Sequence, residues 1–160
     1  MILTILVMGE RQIALARVHF VDPNSQSNRI FDGTEKFPWH NLQAVIDNGQ
    51  IRSGDQVILM SGMYGKLSIK NKKAKSPISI SAAKNQKPQF SSIQIRDSEN
   101  WRLKNLVVSA SFAGTVNGRY MIEIGDGTDR IHIEGFDIFT VSDATKWTAE
   151  DWDEKAVSGI

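Results

Sequence analysis

The sequence predicts an all-β domain built as a solenoid, with one capping α-helix ahead of the strands. Three observations carry that expectation. From Val57 onward helical periodicity gives way to short β-prone runs, each bounded by turn residues. The pattern Leu103-Lys104-Asn105-Leu106-Val107-Val108 returns as Ile133-Glu134-Gly135-Phe136-Asp137-Ile138, which is the mark of a repeat. And only one stretch, Pro38 to Ile46, has a helical apolar face.

The elements follow in order. Met1 to Met8 is apolar, and Ala14-Leu15-Ala16 is a small-x-small triplet. Residues 1–16 therefore read as an export signal, whole or clipped, although no Lys or Arg precedes the apolar run and Glu10-Arg11 interrupts it. A buried first strand is the other reading. His19-Phe20-Val21 is a short strand ending at the turn Asp22-Pro23-Asn24-Ser25. Residues 24–36 read as a surface loop. Pro38 suits the first position of a helix, where its missing N–H is no loss. Trp39, Leu42, Val45 and Ile46 then share one face, and Asn48-Gly49 ends it. Strands are expected at Val57–Met60, Leu67–Ile69, Ile78–Ser81, Ile93–Ile95, Leu103–Val108, Tyr120–Ile124 and Ile131–Phe139. Asn117-Gly118 suits a hairpin turn into the sixth of these.

The repeat has a physical meaning. Leu103, Leu106 and Val108 correspond to Ile133, Phe136 and Ile138, with inward residues separated by three and then two. The extra residue at Lys104-Asn105 and at Glu134-Gly135 lets a strand turn a corner into a second sheet while its apolar side stays inward. Coils of this kind cannot bury their own faces and must stack. The open end of such a column needs a cover, and the Trp39–Ile46 helix has the position and the face for it. An antiparallel sandwich or barrel also uses short alternating strands, but it does not explain the corner-like phase shifts. The division expected is 1–16 signal, 17–56 strand, loop and capping helix, and 57–160 the first coils. Ala156-Val157-Ser158-Gly159-Ile160 reads as the start of another strand, so the chain is expected to be cut short at its C-terminus.

Composition narrows the function classes. The chain has 160 residues, 41% hydrophobic, 23% charged and no cysteine, with 19 basic against 18 acidic side chains. This fits one globular domain and not a disordered chain or a disulfide scaffold. A net charge of +1 leaves no electrostatic footprint for nucleic acid. No apolar run is long enough to span a bilayer.

Three stretches carry a resemblance: His19-Phe20-Val21-Asp22-Pro23-Asn24, Pro38-Trp39-His40-Asn41-Leu42-Gln43-Ala44-Val45-Ile46, and Ser53-Gly54-Asp55-Gln56-Val57-Ile58-Leu59-Met60-Ser61-Gly62-Met63-Tyr64. Together with Pro77–Ala83 and Asn100–Leu106, they resemble the N-terminal part of right-handed parallel β-helix proteins of the pectate-lyase-like superfamily. The opening is most similar to alginate lyases and chondroitinase B. The resemblance spans about residues 19–139 and implies a secreted or periplasmic protein active on an acidic polysaccharide. The activity it implies is β-elimination, with calcium as a cofactor of the full-length protein. The catalytic groups of such enzymes sit on later coils, so they are expected beyond Ile160. A non-catalytic carbohydrate-binding, adhesin-like or phage tailspike-like solenoid is the alternative.

The candidate site residues come from the densest polar cluster. Glu123 and Glu134 alternate with inward isoleucines and so point outward, where stacked strands could form a groove for a sugar chain. His132 points the same way and could act as a base. Glu123, Asp126 and Glu134 are candidate calcium ligands, since calcium takes several oxygens. The more ordinary reading of all four is a solvated outer face or a turn. Trp147 and Trp152 lie in a loop, 144–155, with room for a helical turn, expected to project between coils, where they either stack on sugars or pack the loop down. Lys66, Lys70, Lys72, Lys73 and Lys75 form a basic run that could draw in a polyanion or simply stay solvated.

Overall fold

The computed structural model describes residues 16–25, 31–113, 120–156 and 158–159. In chain order the elements are β1 (Val18–Val21), α1 (Leu42–Asp47), β2 (Gln56–Leu59), β3 (Gly62–Lys70), β4 (Lys73–Ala82), β5 (Pro88–Arg96), β6 (Glu99–Lys104), β7 (Val107–Val108), a 3-10 turn (Ala110–Ala113), β8 (Ile122–Ile124), β9 (Asp129–Glu134), β10 (Asp137–Ile138) and α2 (Ala149–Lys155). Alternation of apolar and polar residues sets the strands, because successive side chains point to opposite faces. One parallel sheet has the order β1-β2-β4-β6-β9. The other runs β10-β7-β5-β3, with β8 beside β5.

Register stacks the apolar residues. Val57 pairs with Ile80, Ile80 with Leu103, and Leu103 with Ile133. In the second sheet Leu67 pairs with Ile93, and Ile93 with Ile122. Val57, Ile80 and Leu103 have no exposed surface. The core between the sheets is built from these columns together with Phe90, Ile95, Trp101 and Leu106. Between β6 and β7 the chain passes from the first sheet to the second at Asn105, and between β9 and β10 it does so at Gly135. Both residues have positive φ, 58° and 67°. Asparagine tolerates the left-handed conformation because its short side chain bonds locally, and glycine because it has no Cβ.

The all-β right-handed parallel β-helix expected from the sequence is corrected by this structure. The fold is mixed α/β: two parallel sheets accompanied by helical segments at α1, Ala110–Ala113 and α2. Pairing is also irregular, since β8 stands off the path of its sheet and β7 and β10 are two residues long. The segment Ala149–Lys155, expected to be a loop with at most a helical turn, is a seven-residue helix. It forms because Thr148 and Asp151 make a reciprocal capping box and Lys155 pairs with Asp151 one turn away. The lysine and the Thr148 N–H together pull the Asp151 carboxyl down to about 2.

A second correction concerns the first helix. It starts at Leu42 and not at Pro38, because the side chain of Asn41 caps it by accepting from the Ala44 N–H at 3.0 Å. Trp39 instead bridges Val21 in extended conformation. Its N–H donates to the Phe20 carbonyl at 2.9 Å, and its ring stacks on His19 with centroids 4.4 Å apart. The Phe20 N–H donates to the Gly33 carbonyl at 2.8 Å. The outer edge of β1 is thus occupied by protein. Helix α1 does the same for β3. Gln43 Nε2 donates to the Ser68 carbonyl at 2.9 Å, and the Ser68 N–H donates to Gln43 Oε1 at 2.8 Å. A side-chain amide here stands in for a neighbouring strand.

The hairpin expected at Asn117-Gly118 and the export signal up to Leu15 lie outside the described residues. Strand β8 pairs in parallel with β5.

The corner at Gly135 carries a prediction. A Cβ there would sit 2.3 Å from Asn105 Oδ1, on a backbone that side chains rarely adopt. Gly135→Ala is expected to cost about 1–3 kcal/mol, seen as a lower urea midpoint with unchanged slope. An unchanged midpoint would show that the corner can relax.

Candidate functional site

The outward face of the first sheet gathers the most polar groups. Leu103 points inward, so its neighbours Arg102 and Lys104 point out. Their register partners on β9 are His132 and Glu134. A groove of about 630 Å³ lies over them, lined also by Pro77, Asn100, Arg130 and Ile131.

Most charges in the groove are paired. Lys104 Nζ is 2.7 Å from Glu134 Oε2, and His132 Nε2 is 3.2 Å from the same oxygen. The Lys104 ammonium, and then His132, hold the Glu134 carboxyl below the usual carboxylate range. Arg130 pairs with Glu99 and Asp129. Its Nε donates to Asn100 Oδ1 at 2.8 Å, while Asn100 Nδ2 donates to the Ala74 carbonyl. Asn100, which is buried, therefore fixes the arginine at one end of the groove. Arg102 is exposed, and among the described residues it meets no carboxylate.

The structure divides the residues nominated from sequence. His132 and Glu134 come together in the groove. Glu123 is on β8 in the other sheet, where it pairs with Arg96 and accepts from Gln94 Nε2 at 2.6 Å. Those two bonds lower its pKa, Arg96 contributing most. The calcium triad of Glu123, Asp126 and Glu134 is thus split between sheets. Among the described residues no three His, Cys, Asp or Glu side chains form a group able to hold a metal ion. Trp147 and Trp152 pack edge to face with centroids 4.9 Å apart, flanking the start of α2, and Trp152 is 54% exposed. Neither lines the groove. Within the basic run, Lys72 reaches the Asp47 carbonyl at 3.3 Å.

Sequence reading missed Arg102, Lys104, Asn100 and Arg130. The signal for the first two was present. The offset that aligns Leu103 with Ile133 also places Arg102 beside His132 and Lys104 beside Glu134. Asn100 and Arg130 gave no comparable signal, because both have positive φ, 62° and 52°, and leave the alternation.

A second polar cluster lies at the opposite end of the chain. Asp55, 2% exposed, accepts from Arg17 Nη2 (2.8 Å), from the Arg17 N–H (3.1 Å) and from the Arg52 N–H (2.8 Å). His19 Nε2 lies 3.2 Å from the same carboxylate. Its function is to fasten β1 to the turn before β2. Among the described residues, no helix is long and apolar enough to cross a membrane. Comparison with known proteins found no matching family model, no matching curated protein and no matching solved structure.

Proposed function

We propose that the chain binds an acidic polysaccharide along the outward face of β4, β6 and β9. The observation that carries this reading is Arg102, an exposed guanidinium without a carboxylate partner among the described residues, set in an open groove. Guanidinium groups receive carboxylates and sulfates through two parallel N–H bonds. An exported protein, as residues 1–16 suggest, is one that meets such polymers.

β-Elimination on a uronate is the reaction class that suits the groove. Arg102 would neutralise the uronate carboxylate. His132, held by Glu134, would take the proton from the adjacent carbon. The electron pair would become the carbon–carbon double bond, and the glycosidic oxygen would leave with a proton from water. A non-catalytic carbohydrate-binding, adhesin-like or tailspike-like protein is the second reading. The exposed Trp152 favours it, since an indole face can stack on sugar without any chemistry.

Two measurements test the proposal. Affinity for alginate, chondroitin and pectin is expected to exceed that for a neutral glucan, and Arg102→Ala should weaken it about tenfold. Equal binding of charged and neutral polymers would end the acidic-glycan reading. Ultraviolet absorbance from unsaturated uronate tests elimination. If binding occurs with no absorbance, the protein is a binding module.

A further inference from the structure

We infer that the groove selects acidic glycans whose carboxylates are separated by uncharged sugars, over polymers with a carboxylate on every ring. The inference rests on the acidic-glycan reading and narrows it to a substrate class. The groove runs along the strands, from Asn100 to Lys104 on β6 and from Arg130 to Glu134 on β9. Four residues of strand cover about 13 Å, room for a few linked rings. A glycan lying there passes Arg130 with Asn100, then Arg102 with His132, then Lys104 with Glu134.

These three places differ in charge. At the middle one Arg102 is exposed and, among the described residues, meets no carboxylate. At the Lys104 end the ammonium lies 2.7 Å from Glu134 Oε2, so its charge is cancelled. That ammonium also holds the Glu134 carboxyl below the usual carboxylate range, which keeps it ionised at neutral pH. At the other end Arg130 enters the groove with two acids attached, Glu99 and Asp129. One cation against two anions leaves an excess of negative charge there. Asn100, itself buried, accepts from Arg130 Nε at 2.8 Å and anchors the arginine at this end.

A carboxylate at the middle place meets a guanidinium able to take it through two N–H bonds. A second carboxylate, on the ring before or after, meets either a cancelled pair or the negative excess. Outward residues along a strand stand about 6.6 Å apart, within the roughly 8–10 Å over which exposed charges act at ordinary ionic strength. The flanking rings are therefore favoured when they carry no charge. Lys104 and Glu134 cancel each other's charge but keep further donors and acceptors, which suit hydroxyl groups. A groove lined with unpaired cations would have the opposite preference, for the most densely charged polymer.

Pectin supplies the test, because esterification changes its charge and not its backbone. The whole chain is titrated, in calcium-free buffer at low salt, with polygalacturonate, with the same polymer half methyl-esterified, and with the fully esterified, neutral form. The half-esterified polymer is expected to bind several-fold more tightly than polygalacturonate, and the margin to shrink as salt is raised. Glu134→Gln uncovers Lys104, and Asp129→Asn removes the negative excess around Arg130. Each should raise the affinity for polygalacturonate several-fold, and by more than for the half-esterified polymer. Loss of structure would not produce such a gain. Polygalacturonate binding as tightly as the half-esterified polymer or more so, with both above the neutral form, overturns the inference and leaves the acidic-glycan reading standing. Variants that gain no affinity for polygalacturonate overturn it as well. If the neutral form binds as well as the charged ones, the acidic-glycan reading fails, and this inference with it.

Discussion

Asp55→Ala is expected to lower stability by about 2–4 kcal/mol, or roughly 5–15 °C in melting temperature for a chain of this size. The carboxylate is 2% exposed and receives the Arg17 guanidinium, two backbone N–H groups and the ring edge of His19. Its removal leaves those donors facing a cavity. Arg17 is 43% exposed and can turn to water, so the estimate stays below that for a wholly buried pair. His19 and the Arg52 N–H have less freedom. Asp55→Asn keeps one acceptor and should cost less.

The same residue gives a pH dependence. Burial pushes the Asp55 pKa up, but the Arg17 side chain and the Arg52 and Arg17 N–H groups outweigh it and hold the pKa below its ordinary value. A depressed carboxylate stabilises the fold at pH values above its unfolded pKa, about 3.9. That contribution is lost as pH falls through the folded value. The stability gap between wild type and Asp55→Asn, measured by urea unfolding, should therefore be widest at neutral pH and shrink below about pH 4. A constant gap from pH 7 to pH 3 would mean that charge at Asp55 is not what holds β1 in place.

How far the sequence could be read depended on the kind of force involved. Side-chain alternation and the thirty-residue echo of Leu103 at Ile133 showed which residues face inward and where the chain turns. Those are patterns of hydrophobic burial, and burial leaves a period. Helix α2 is legible in the sequence only as a loop with a helical turn, because its cause is a capping box, Thr148 with Asp151, on a segment with no buried residue. Trp39 has the spacing of a helix face, yet its backbone bonds to Phe20 win. In the site, Glu123 and Glu134 both alternate outward, and nothing local reveals that they sit on different sheets. His19 gave no sign of a partner, because Asp55 reaches it only once β1 and β2 are paired. Polar partnerships are set by register, and register emerges only when strands meet.

Trp101→Ala is expected to be the most damaging single truncation of the core, at about 3–5 kcal/mol. Trp101 is 2% exposed and stands in register between Ile78 on β4 and Ile131 on β9. It belongs to the buried core cluster and lines a cleft together with Ile46, Ile51, Ala74 and Ile78. The indole N–H also donates to the Lys72 carbonyl at 2.8 Å. Lys72 precedes β4, and its carbonyl receives the Glu99 N–H at 3.1 Å as well. Two losses follow from truncation: the packing of a buried ring in the core, and a hydrogen bond at the turn that starts β4. Trp101→Phe separates them. It keeps most of the ring and loses the N–H, and should cost about 1–2 kcal/mol. If the phenylalanine variant were as unstable as the alanine variant, the hydrogen bond and not the packing would be what Trp101 supplies. If neither shifted the unfolding midpoint, Trp101 would not be a support of the core at all.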